Sequence, residues 1–309
     1  MSGDFREIGR RVSNWGRWGK DDLLGTLNHI EPAHVAAAAR LARTGRIFDL
    51  GIEVAKDGIQ TGTGSRANPT HLMSLTEVDF KHREDRMFVA DDYIFMPLQS
   101  VTQWDGLGHV GYDGQLYNGH SSDTVSTRSG SLALSVHQLA SKGVAGRGVL
   151  LDLARLANVD RLEGGYSIGP DMLERAEAEQ GVKVGAGDIL IFRTGWLRHF
   201  TVDRDVAAFW KGEPGLNLDC AEWLHERQVA AVASDNWGIE AADPAAGFGH
   251  LPVHCVLIRD MGMTLGEIFS LDALADDCAS DGVWEFFLAA PPLKVVGGVG
   301  TPLTPLAIK

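Results

Sequence analysis

The sequence predicts a single α/β domain. In the middle third of the chain, apolar strand-like runs at 148–153, 188–193 and 229–234 alternate with helical patterns at 171–180 and 219–228. Alternation of this kind is typical of α/β folds. The first third contains mostly short strand-like runs and glycine-rich loops, and no repeat, low-complexity tract or linker divides the 309 residues. We therefore expect one domain.

Glycine and proline indicate where the individual elements begin and end. Pro32, at an early helical position, and the alanine-rich pattern after it predict a helix over 34–44, with Gly45 as its C-terminal cap. The glycine- and threonine-rich residues 61–68 predict a loop. Further strands are predicted over 47–54, 77–80, 92–96, 255–258 and 284–290.

The formal net charge of −13 disfavours several kinds of partner. A surface this acidic repels phosphate backbones and anionic lipids, so nucleic acid and membranes are poor candidates. The three cysteines, Cys220, Cys255 and Cys278, are too few and too scattered for a disulfide framework or a thiolate zinc site. Neither the polar residues 1–20 nor any later window has the pattern of a signal peptide or a membrane span, so we expect a soluble cytoplasmic protein.

The residues most typical of a catalytic site lie in the glycine-rich run 99–119. Its glycine content is too high for a helix, and catalytic residues concentrate on loops that a rigid scaffold positions. An acid, Asp105, and an imidazole, His109, lie four residues apart in this run. A carboxylate and an imidazole held close together are candidates for general acid–base catalysis.

This run resembles the signature of the cyclase superfamily, which includes bacterial kynurenine formamidase and isatin hydrolase. The family pattern is His-x-Gly-Thr-His-x-Asp-x-Pro-x-His. Without gaps, its fixed positions fall on Gln99, Val101, Thr102, Gln103, Asp105, Leu107 and His109. Thr102, Asp105 and His109 match the pattern, and glutamine replaces the two histidines that are metal ligands in the family. The resemblance implies that Asp105 is a metal ligand and that His109 is the general acid/base.

A second resemblance lies downstream. Residues 250–254 and 263–267 are similar to family segments that complete the metal site, which implies His254 and Glu267 as further ligands. Other segments that resemble the family are 14–19, 24–28, 193–196 and 234–235. The resemblance implies a mixed β-sheet or barrel-like β core flanked by helices, in one domain with an N-terminal extension over roughly residues 1–30.

The two glutamines change what the metal site can hold. A glutamine offers a neutral carbonyl oxygen, a weak ligand that suits hard ions better than zinc. The strong ligands are then Asp105, His254 and Glu267, with Gln103 as a weak fourth, and two carboxylates balance the charge of one divalent ion. We therefore expect one divalent metal ion, with Mn²⁺ ahead of Zn²⁺.

The resemblance implies hydrolysis of a C–N bond in a small cyclic or N-acyl compound, such as an amide, a formamide or a lactam, with His109 protonating the leaving nitrogen. A second hypothesis is metal-free. In it, Gln99 and Gln103 donate hydrogen bonds to the substrate, and His109 with Asp105 performs a lactonase, dehydration or cyclisation step. A third hypothesis is a non-catalytic family member that binds a small aromatic ligand, against which the retained Asp105 and His109 argue.

Some candidate site residues also have an ordinary structural interpretation. Trp104, Tyr117 and Asp235 are candidates for substrate contact, although most tryptophans belong to a core. Asp105 could also simply cap a turn. The resemblance also implies a homodimer or homotetramer acting on a small molecule, because family relatives commonly form such assemblies.

The segment 250–254 contains two histidines but predicts one ligand. His250 and His254 would share a face only on a helix, and Pro252 between them argues against a helix, so we expect His254 alone to bind metal. Cys255 adjoins His254, but neighbours on a strand point to opposite faces, which argues against a cysteine hydrolase.

Overall fold

The computed structural model describes residues 5–62, 66–243 and 251–309. His250 and part of the predicted loop 61–68 therefore lie outside the described residues. The strands are β1 (Ile47–Asp49), β2 (Thr70–Leu75), β3 (Asp91–Phe95), β4 (Gln103–Asp105), β5 (Val125–Ser126), β6 (Gly130–Ser131), β7 (Ala145–Asp152), β8 (Ser167–Ile168), β9 (Ile189–Arg193), β10 (Gly215–Leu216), β11 (Ala231–Ser234), β12 (Thr264–Glu267), β13 (Glu285–Ala289), β14 (Gly300–Pro302) and β15 (Leu306–Ile308).

Short helices connect these strands. The α-helices are Phe5–Arg11, Pro32–Ala38, Val136–Lys142, Leu153–Leu156, Pro170–Gln180, Arg198–Thr201, Val206–Phe209, Cys220–Glu226, Pro252–His254 and Asp272–Asp281. The 3₁₀ helices are Gly25–His29, Ala39–Leu41, Glu77–Phe80, Tyr117–Gly119 and Ser122–Thr124, and a π-helix covers Cys255–Met261. In the part of the chain that the structure describes, no helix has the length and apolar character needed to cross a bilayer.

Among the described residues, nine strands form one mixed sheet in the order β1, β15, β13, β7, β9, β11, β12, β4, β14. The central strands β7, β9, β11 and β12 are parallel to one another. The flanking strands β13 and β4 pair antiparallel with β7 and β12, respectively. The other strands form small two-stranded sheets, among them the β2–β3 hairpin.

The large sheet curls on itself, because a short piece of chain joins its two ends. β15 is second from one edge and β14 forms the other edge, yet only residues 303–305 separate them. In a flat sheet, seven strand spacings would put them about 34 Å apart, whereas this connection spans at most about 14 Å. The N–H of Ile52, just after β1, donates to Thr102 Oγ1 (2.9 Å), just before β4, which ties the two edges of the sheet together. The predicted barrel-like β core is confirmed.

The middle of the sheet is buried on both faces, as parallel strands covered by helices are. Every residue of β9 and β11 is buried. The helices Pro32–Ala38 and Pro170–Gln180 both contact β7. Each large aliphatic side chain removed from water here stabilises the fold by roughly 1.5–3 kcal/mol. The predicted strands at 148–153, 188–193 and 229–234 and the predicted helix at 171–180 are confirmed by β7, β9, β11 and Pro170–Gln180.

The first predicted helix ends earlier than its pattern indicated. The α-helix is Pro32–Ala38 and continues only as the 3₁₀ turn Ala39–Leu41. Beyond it, the N–H groups of Thr44 and Gly45 donate to the C-terminal Lys309 O (3.0 and 2.7 Å). The chain therefore leaves the helix to bind the C-terminus, and Gly45 precedes β1 instead of capping the helix.

Residues 77–80 form a 3₁₀ helix, so the strand predicted there is wrong. The N–H of Thr76 donates to Asp79 Oδ2 (2.7 Å), which is the capping interaction of a helical start. The strand predicted over 47–54 is shorter than expected and is β1 alone.

The strand predicted over 255–258 is also wrong, because these residues begin the π-helix Cys255–Met261. Pro252 does not prevent helix formation, since it lies in the first turn of Pro252–His254, where a missing N–H is tolerated. A short apolar run cannot distinguish a buried strand from a buried helix. Burial raises the pKa of Cys255 to about 11, which leaves its thiol protonated and agrees with the argument against a cysteine hydrolase.

Gly266 provides the space in which β4 and β12 pack on the core. It is paired with Trp104, whose indole is fully buried, packs on Phe269 (ring centroids 5.3 Å apart) and donates from Nε1 to Ala290 O (2.9 Å). A Cβ on Gly266 would lie 2.5 Å from Trp104 Cζ3 and 2.6 Å from Ala233 Cβ. Any side chain at this position would therefore separate the two strands from the core.

We expect Gly266→Ala to lower the free energy of unfolding by about 2–3 kcal/mol, because the added methyl group overpacks a rigid contact. Urea denaturation followed by circular dichroism measures this change. Gly146→Ala is the matched control, since Gly146 also lies in a strand of the sheet but a Cβ there meets nothing closer than 3.9 Å. Equal free energies of unfolding for the two variants would contradict the packing argument.

Candidate active site

Two strands bring polar residues from distant parts of the sequence onto one face of the sheet. In the antiparallel pair of β4 and β12, Gln103 is opposite Glu267, and Asp105 is opposite Leu265. Residues two apart on a strand, and residues directly opposite each other, share a face. The side chains of Gln103, Asp105 and Glu267 therefore point the same way, and Trp104 between them points into the core.

His254 completes this cluster from the C-terminal end of the helix Pro252–His254. Its Nε2 lies 3.2 Å from Glu267 Oε1 and 3.9 Å from Asp105 Oδ2. The three side chains are buried, and each offers a ligand atom within 4.8 Å of the others. The structure thus brings together the three predicted strong metal ligands.

Threonine hydroxyls fix the two strands that carry the carboxylates. Thr102 Oγ1 donates to Ile268 O (2.6 Å) and accepts from the N–H of Ile52 (2.9 Å). Thr264 Oγ1 donates to Asp105 O. Thr102 matches the family pattern, and its contacts give it a structural role beside the site.

A tight turn returns His109 to Asp105. The N–H of His109 donates to Gly106 O (3.0 Å), and His109 Nε2 lies 3.7 Å from Asp105 Oδ2. Gly108 is required in this turn, because a Cβ there would lie 2.6 Å from Ser131 Oγ and 3.0 Å from Leu134 O. The predicted acid–base pair is thus held at the edge of the predicted metal site.

Gln103 acts in this structure as a hydrogen-bond donor. Its Nε2 donates to Glu267 Oε2 (2.6 Å) and lies 3.4 Å from Asp105 Oδ1, so one amide group binds both carboxylates. Gln103 Oε1 and Asp105 Oδ2 are buried acceptors that receive no hydrogen bond from the described residues, although two imidazoles lie 3.7 and 3.9 Å from Asp105 Oδ2. A buried polar atom without a partner is costly, so these two oxygens are candidate ligands for a cation.

Glu240 holds His254 in the orientation that the site needs. Glu240 Oε1 lies 2.5 Å from His254 Nδ1 and accepts the backbone N–H of His254 (3.0 Å), while Oε2 accepts the N–H of Val253 (3.1 Å). A carboxylate on one ring nitrogen of a histidine fixes its tautomer and directs the other nitrogen to a metal. Nε2 is thereby presented to Asp105 and Glu267.

The concentration of carboxylates shifts several pKa values. Burial, and then the charge of Asp105, raise the pKa of Glu267. Burial likewise raises the pKa of Glu213 well above its ordinary value, and the charges of Glu267 and Glu240 add to this effect. Burial opposes protonation of His254, but the hydrogen bonds and charges of Glu240 and Glu267 outweigh it and raise the pKa of His254.

The pKa of His109 is shifted in the opposite direction from that of His254. Burial lowers the pKa of His109, although the charge of Asp105 partly opposes this effect. The positive charge of Arg66 lowers the pKa of His109 further and also that of Glu267, so Arg66 lies near the site. At neutral pH the imidazole of His109 is therefore uncharged and can accept a proton.

A cavity of about 260 Å³ lies beside His109. Glycine, aromatic and aliphatic residues make up most of its lining, which consists of Gly108, His109, Gly111, Tyr112, Gly114, Leu116, Ser122 and Val125. The cavity carries no charged side chain other than the imidazole when that is protonated. Such a lining suits a small, uncharged and partly apolar molecule.

Gln99 lies beside the cluster. A Cβ on Gly300 would lie 2.4 Å from Gln99 Nε2, and Gly300 is paired with Asp105 across the sheet. Because glycine has no side chain, the Gln99 carboxamide fits beside Gly300, on the face of the sheet that carries the site. Both glutamines at the family's ligand positions are thus on the site's face.

The structure does not bring the other three predicted substrate contacts into the cluster. Trp104 points to the opposite face of the sheet, as described above. Tyr117 is fully buried and donates from its hydroxyl to Asp22 Oδ2 (2.9 Å). Asp235 accepts the N–H groups of Thr194 (2.8 Å) and Gly195 (2.7 Å). Their polar atoms are used in holding the core and a turn, so we assign these three residues structural roles.

Three site residues were not predicted from the sequence. Glu240 and Glu213 belong to no segment that resembles the family and to no spacing typical of metal ligands. Nothing in the sequence therefore distinguishes them from surface glutamates. Arg66 belongs to a stretch predicted only as a loop. In each case the tertiary structure alone brings the residue to the site.

The chain is similar to known proteins in sequence and in fold. The sequence model of a family described as "Putative cyclase" matches residues 27–241. An isatin hydrolase from Roseibium aggregatum is 30% identical over 149 residues, which cover 46% of this chain and 52% of that protein. The chain thus matches about half the length of this curated relative.

Solved structures share the fold over nearly the whole chain. A crystal structure described as a novel cyclase is 39% identical, with a TM-score of 0.90, and the match covers 97% of this chain and 99% of the other. Isatin hydrolase A from Ralstonia solanacearum is 23% identical, with a TM-score of 0.62, and the match covers 88% of this chain and 95% of the other. At that identity the second likeness shows the fold alone.

The contacts of Glu240 generate a prediction about metal affinity. We expect Glu240→Gln to weaken Mn²⁺ binding by about 10-fold or more, because the carboxamide is a weaker acceptor and no longer fixes the imidazole of His254. Isothermal titration calorimetry on chelator-treated protein measures the dissociation constant.

Glu177→Gln is the matched control for this measurement. Glu177 is also a buried glutamate that accepts a backbone N–H, from Val184 (2.8 Å), but it lies at the end of the helix Pro170–Gln180. Its substitution is expected to leave the Mn²⁺ affinity unchanged. Equal affinities for wild type and Glu240→Gln would remove the proposed role of Glu240.

Proposed function

This chain belongs to the cyclase family, and we propose that it is a metal-dependent hydrolase that cleaves a C–N bond in a small cyclic amide. One observation carries the proposal: Asp105, His254 and Glu267 converge in a buried cluster, with His109 Nε2 3.7 Å from Asp105 Oδ2. A cation site and a proton-transfer group are thereby adjacent. This is the arrangement that hydrolysis of an unreactive carbonyl compound needs.

The residues of the cluster fit one divalent ion. Asp105, His254 and Glu267 would hold it, and the orphaned oxygen of Gln103 is a fourth donor. Two carboxylates neutralise the charge of one such ion. Three oxygen donors and one nitrogen favour a harder ion, so we propose Mn²⁺ ahead of Zn²⁺. When bound, the ion would polarise the carbonyl group and lower the pKa of water.

The uncharged imidazole of His109 then serves two proton transfers. Nε2 accepts a proton from the water whose oxygen adds to the carbonyl carbon, and the nearby carboxylate of Asp105 stabilises the imidazolium that results. Nε2 next donates this proton to the amide nitrogen as the C–N bond breaks. The products are a carboxylic acid, which releases its proton to solvent and becomes a carboxylate, and a free amine, and His109 returns to its uncharged form.

The proposed substrate class rests on the cavity beside His109 and on the relative. The cavity has room for a molecule of roughly the size of a bicyclic lactam, and its lining offers both apolar and polar atoms. The relative that is 30% identical is an isatin hydrolase. Lactams of this kind are therefore our first choice, and aromatic formamides, the class suggested by the resemblance to kynurenine formamidase, are the second.

The metal proposal predicts a stoichiometry and a stability change. We expect the purified protein to contain one divalent ion per chain by elemental analysis. Removing the ion with a chelator should abolish turnover and lower the melting temperature by several degrees, because a ligand that binds only the folded state stabilises it. Re-addition of Mn²⁺ should restore both, and Glu267→Ala should bind no ion. A purified protein that is active without bound metal would contradict the proposal and favour the metal-free hypothesis.

The proton-transfer proposal predicts the effect of removing the imidazole. We expect His109→Ala to reduce kcat by about 10²–10⁴-fold, since general acid–base catalysis contributes this much, while circular dichroism and Mn²⁺ binding stay unchanged. The assay is a panel of lactams, formamides, lactones and isatin-like compounds, first on wild type and then on the variant.

His225→Ala is the control for this experiment. Burial also lowers the pKa of His225, but this residue lies on the helix Cys220–Glu226, outside the cluster. Its substitution should leave kcat within about twofold of wild type. Wild-type turnover by His109→Ala on the same substrate would exclude the role assigned to His109.

A further inference from the structure

The side chain of Tyr112 sets the width of the cavity beside His109. Three of the eight lining residues are glycines, which have no side chain, and tyrosine is the largest residue of the lining. Tyr112 and Gln115 close a tight turn, because Tyr112 N donates to Gln115 O (3.2 Å) and Gln115 N donates to Tyr112 O (3.1 Å). The position of the Tyr112 ring therefore decides how large a molecule the cavity holds.

Two residues of the π-helix Cys255–Met261 hold this ring. The hydroxyl of Tyr112 donates to Asp260 Oδ2 (2.8 Å), and the guanidinium of Arg259 lies 3.9 Å from the centre of the ring. A cation at this distance is attracted to the face of an aromatic ring. Arg259 also pairs with Asp260 and donates from Nη2 to Gln115 Oε1 (2.9 Å). The π-helix therefore binds both ends of the turn.

The N-terminal helix Phe5–Arg11 packs directly on these contacts. Phe5 lies edge-on to Tyr112, with ring centroids 5.0 Å apart. Gly9 is buried, and a Cβ at its position would lie 2.1 Å from Asp260 Oδ2 and 3.2 Å from the Tyr112 hydroxyl. The helix thus lies against the hydrogen bond from Tyr112 to Asp260, and only a glycine fits there.

The chain around this helix also binds the loop that lines the cavity. Arg6 donates from Nε and Nη2 to the carboxylate of Asp113 (3.0 and 2.9 Å). Gly16 N donates to Asn118 Oδ1 (2.8 Å). An exposed ion pair contributes little by itself, so the buried contact at Gly9 is the principal one. The loop is therefore attached to the N-terminal residues at several points.

We propose that the N-terminal segment, residues 5–16, determines the size of the substrate by holding Tyr112 in place. This inference rests on the proposed function, because it concerns the lactams that the cavity accepts. With the ring held, a bicyclic lactam fills the cavity and a molecule with a further ring is excluded. Gly9 and Asp260 are positioning residues, and Tyr112 is the wall that they position. The match to the family sequence model begins at residue 27, so this segment is additional to the matched part of the chain.

The test is Gly9→Ala, which disturbs the wall without weakening the helix. Alanine favours a helix more than glycine does, so the added methyl group acts through its contact with Asp260 and Tyr112. We expect the KM for isatin to rise by about 5-fold or more and kcat to stay within about twofold, because substrate binding weakens while the proton-transfer group is unchanged.

A larger substrate should respond in the opposite direction. For an isatin that carries a phenyl group on its benzene ring, we expect kcat/KM relative to that for isatin to rise by about 10-fold in Gly9→Ala, since a displaced Tyr112 ring admits the larger molecule. Steady-state kinetics with the two compounds measures both changes.

Tyr112→Phe separates this mechanism from general damage to the fold. It keeps the ring but loses the hydroxyl that binds Asp260, so it should change the kinetics in the same direction as Gly9→Ala. Adding Gly9→Ala to Tyr112→Phe should have little further effect, since both substitutions act on one hydrogen bond. Additive effects of the two substitutions, or an equal loss of kcat/KM for both compounds, would overturn the proposal.

Arg10→Ala is the matched control, because Arg10 belongs to the same helix as Gly9 but is exposed. It should keep the wild-type kinetics with both compounds. The Mn²⁺ affinity should be the same in all these variants, since none of them changes a proposed ligand.

Hydrogen exchange followed by mass spectrometry tests the positioning without turnover. In Gly9→Ala we expect faster exchange over residues 109–119 and unchanged exchange over β9, because only the loop loses a contact. A wild type that does not hydrolyse isatin would count against the proposed function. Unchanged exchange over residues 109–119 would instead overturn the role of the N-terminal segment.

Discussion

The antiparallel pairing of β4 with β12 is the interaction on which the site depends. It joins two segments about 160 residues apart in the chain and sets which side chains share a face. Alternation along three residues of β4 then gives the two faces different roles. Gln103 and Asp105 carry the polar cluster, while Trp104 anchors the strand in the core against Gly266. A slip of one residue in the register would exchange the two faces. The threonines at both ends of the pairing, Thr102 and Thr264, oppose such a slip through their hydrogen bonds.

The cluster gathers negative charge in a buried place, which by itself disfavours folding. Part of this cost is offset within the protein. Glu240 accepts three N–H groups, Gln103 donates to Glu267, and the raised pKa of His254 places a positive charge among the carboxylates. Two acceptors, on Gln103 and Asp105, are left without a partner in the described residues. Buried groups whose environment is unfavourable in this way concentrate at functional sites, where a ligand supplies the missing interaction. The physical case for a cation therefore rests on these atoms and does not depend on the family resemblance.

The sequence was sufficient for elements that are long or strongly patterned. The central strands β7, β9 and β11 and the helix Pro170–Gln180 were predicted because apolar runs and glycine or proline boundaries act locally. β4 was missed because it is a three-residue strand in a glycine-rich run and forms only through its partners. The start of the π-helix was taken for a strand because residues 255–258 form a short apolar run without helical periodicity. Asp105, His109, His254 and Glu267 were predicted through their resemblance to family segments. Glu240 and Arg66 could not be predicted in this way, because only the tertiary structure brings them to the site.

The position of Gln103 explains how the family's site can be altered without being lost. At this position the family has a histidine that binds metal, whereas the glutamine turns its amide nitrogen toward Glu267 and Asp105. A neutral donor between two carboxylates screens their repulsion, which is a function that a second cation would otherwise serve. The carbonyl oxygen of Gln103 receives no hydrogen bond from the described residues. Donor and acceptor thus lie on one side chain, and the donor offsets part of the negative charge of the cluster, which is why we propose one divalent ion and not two.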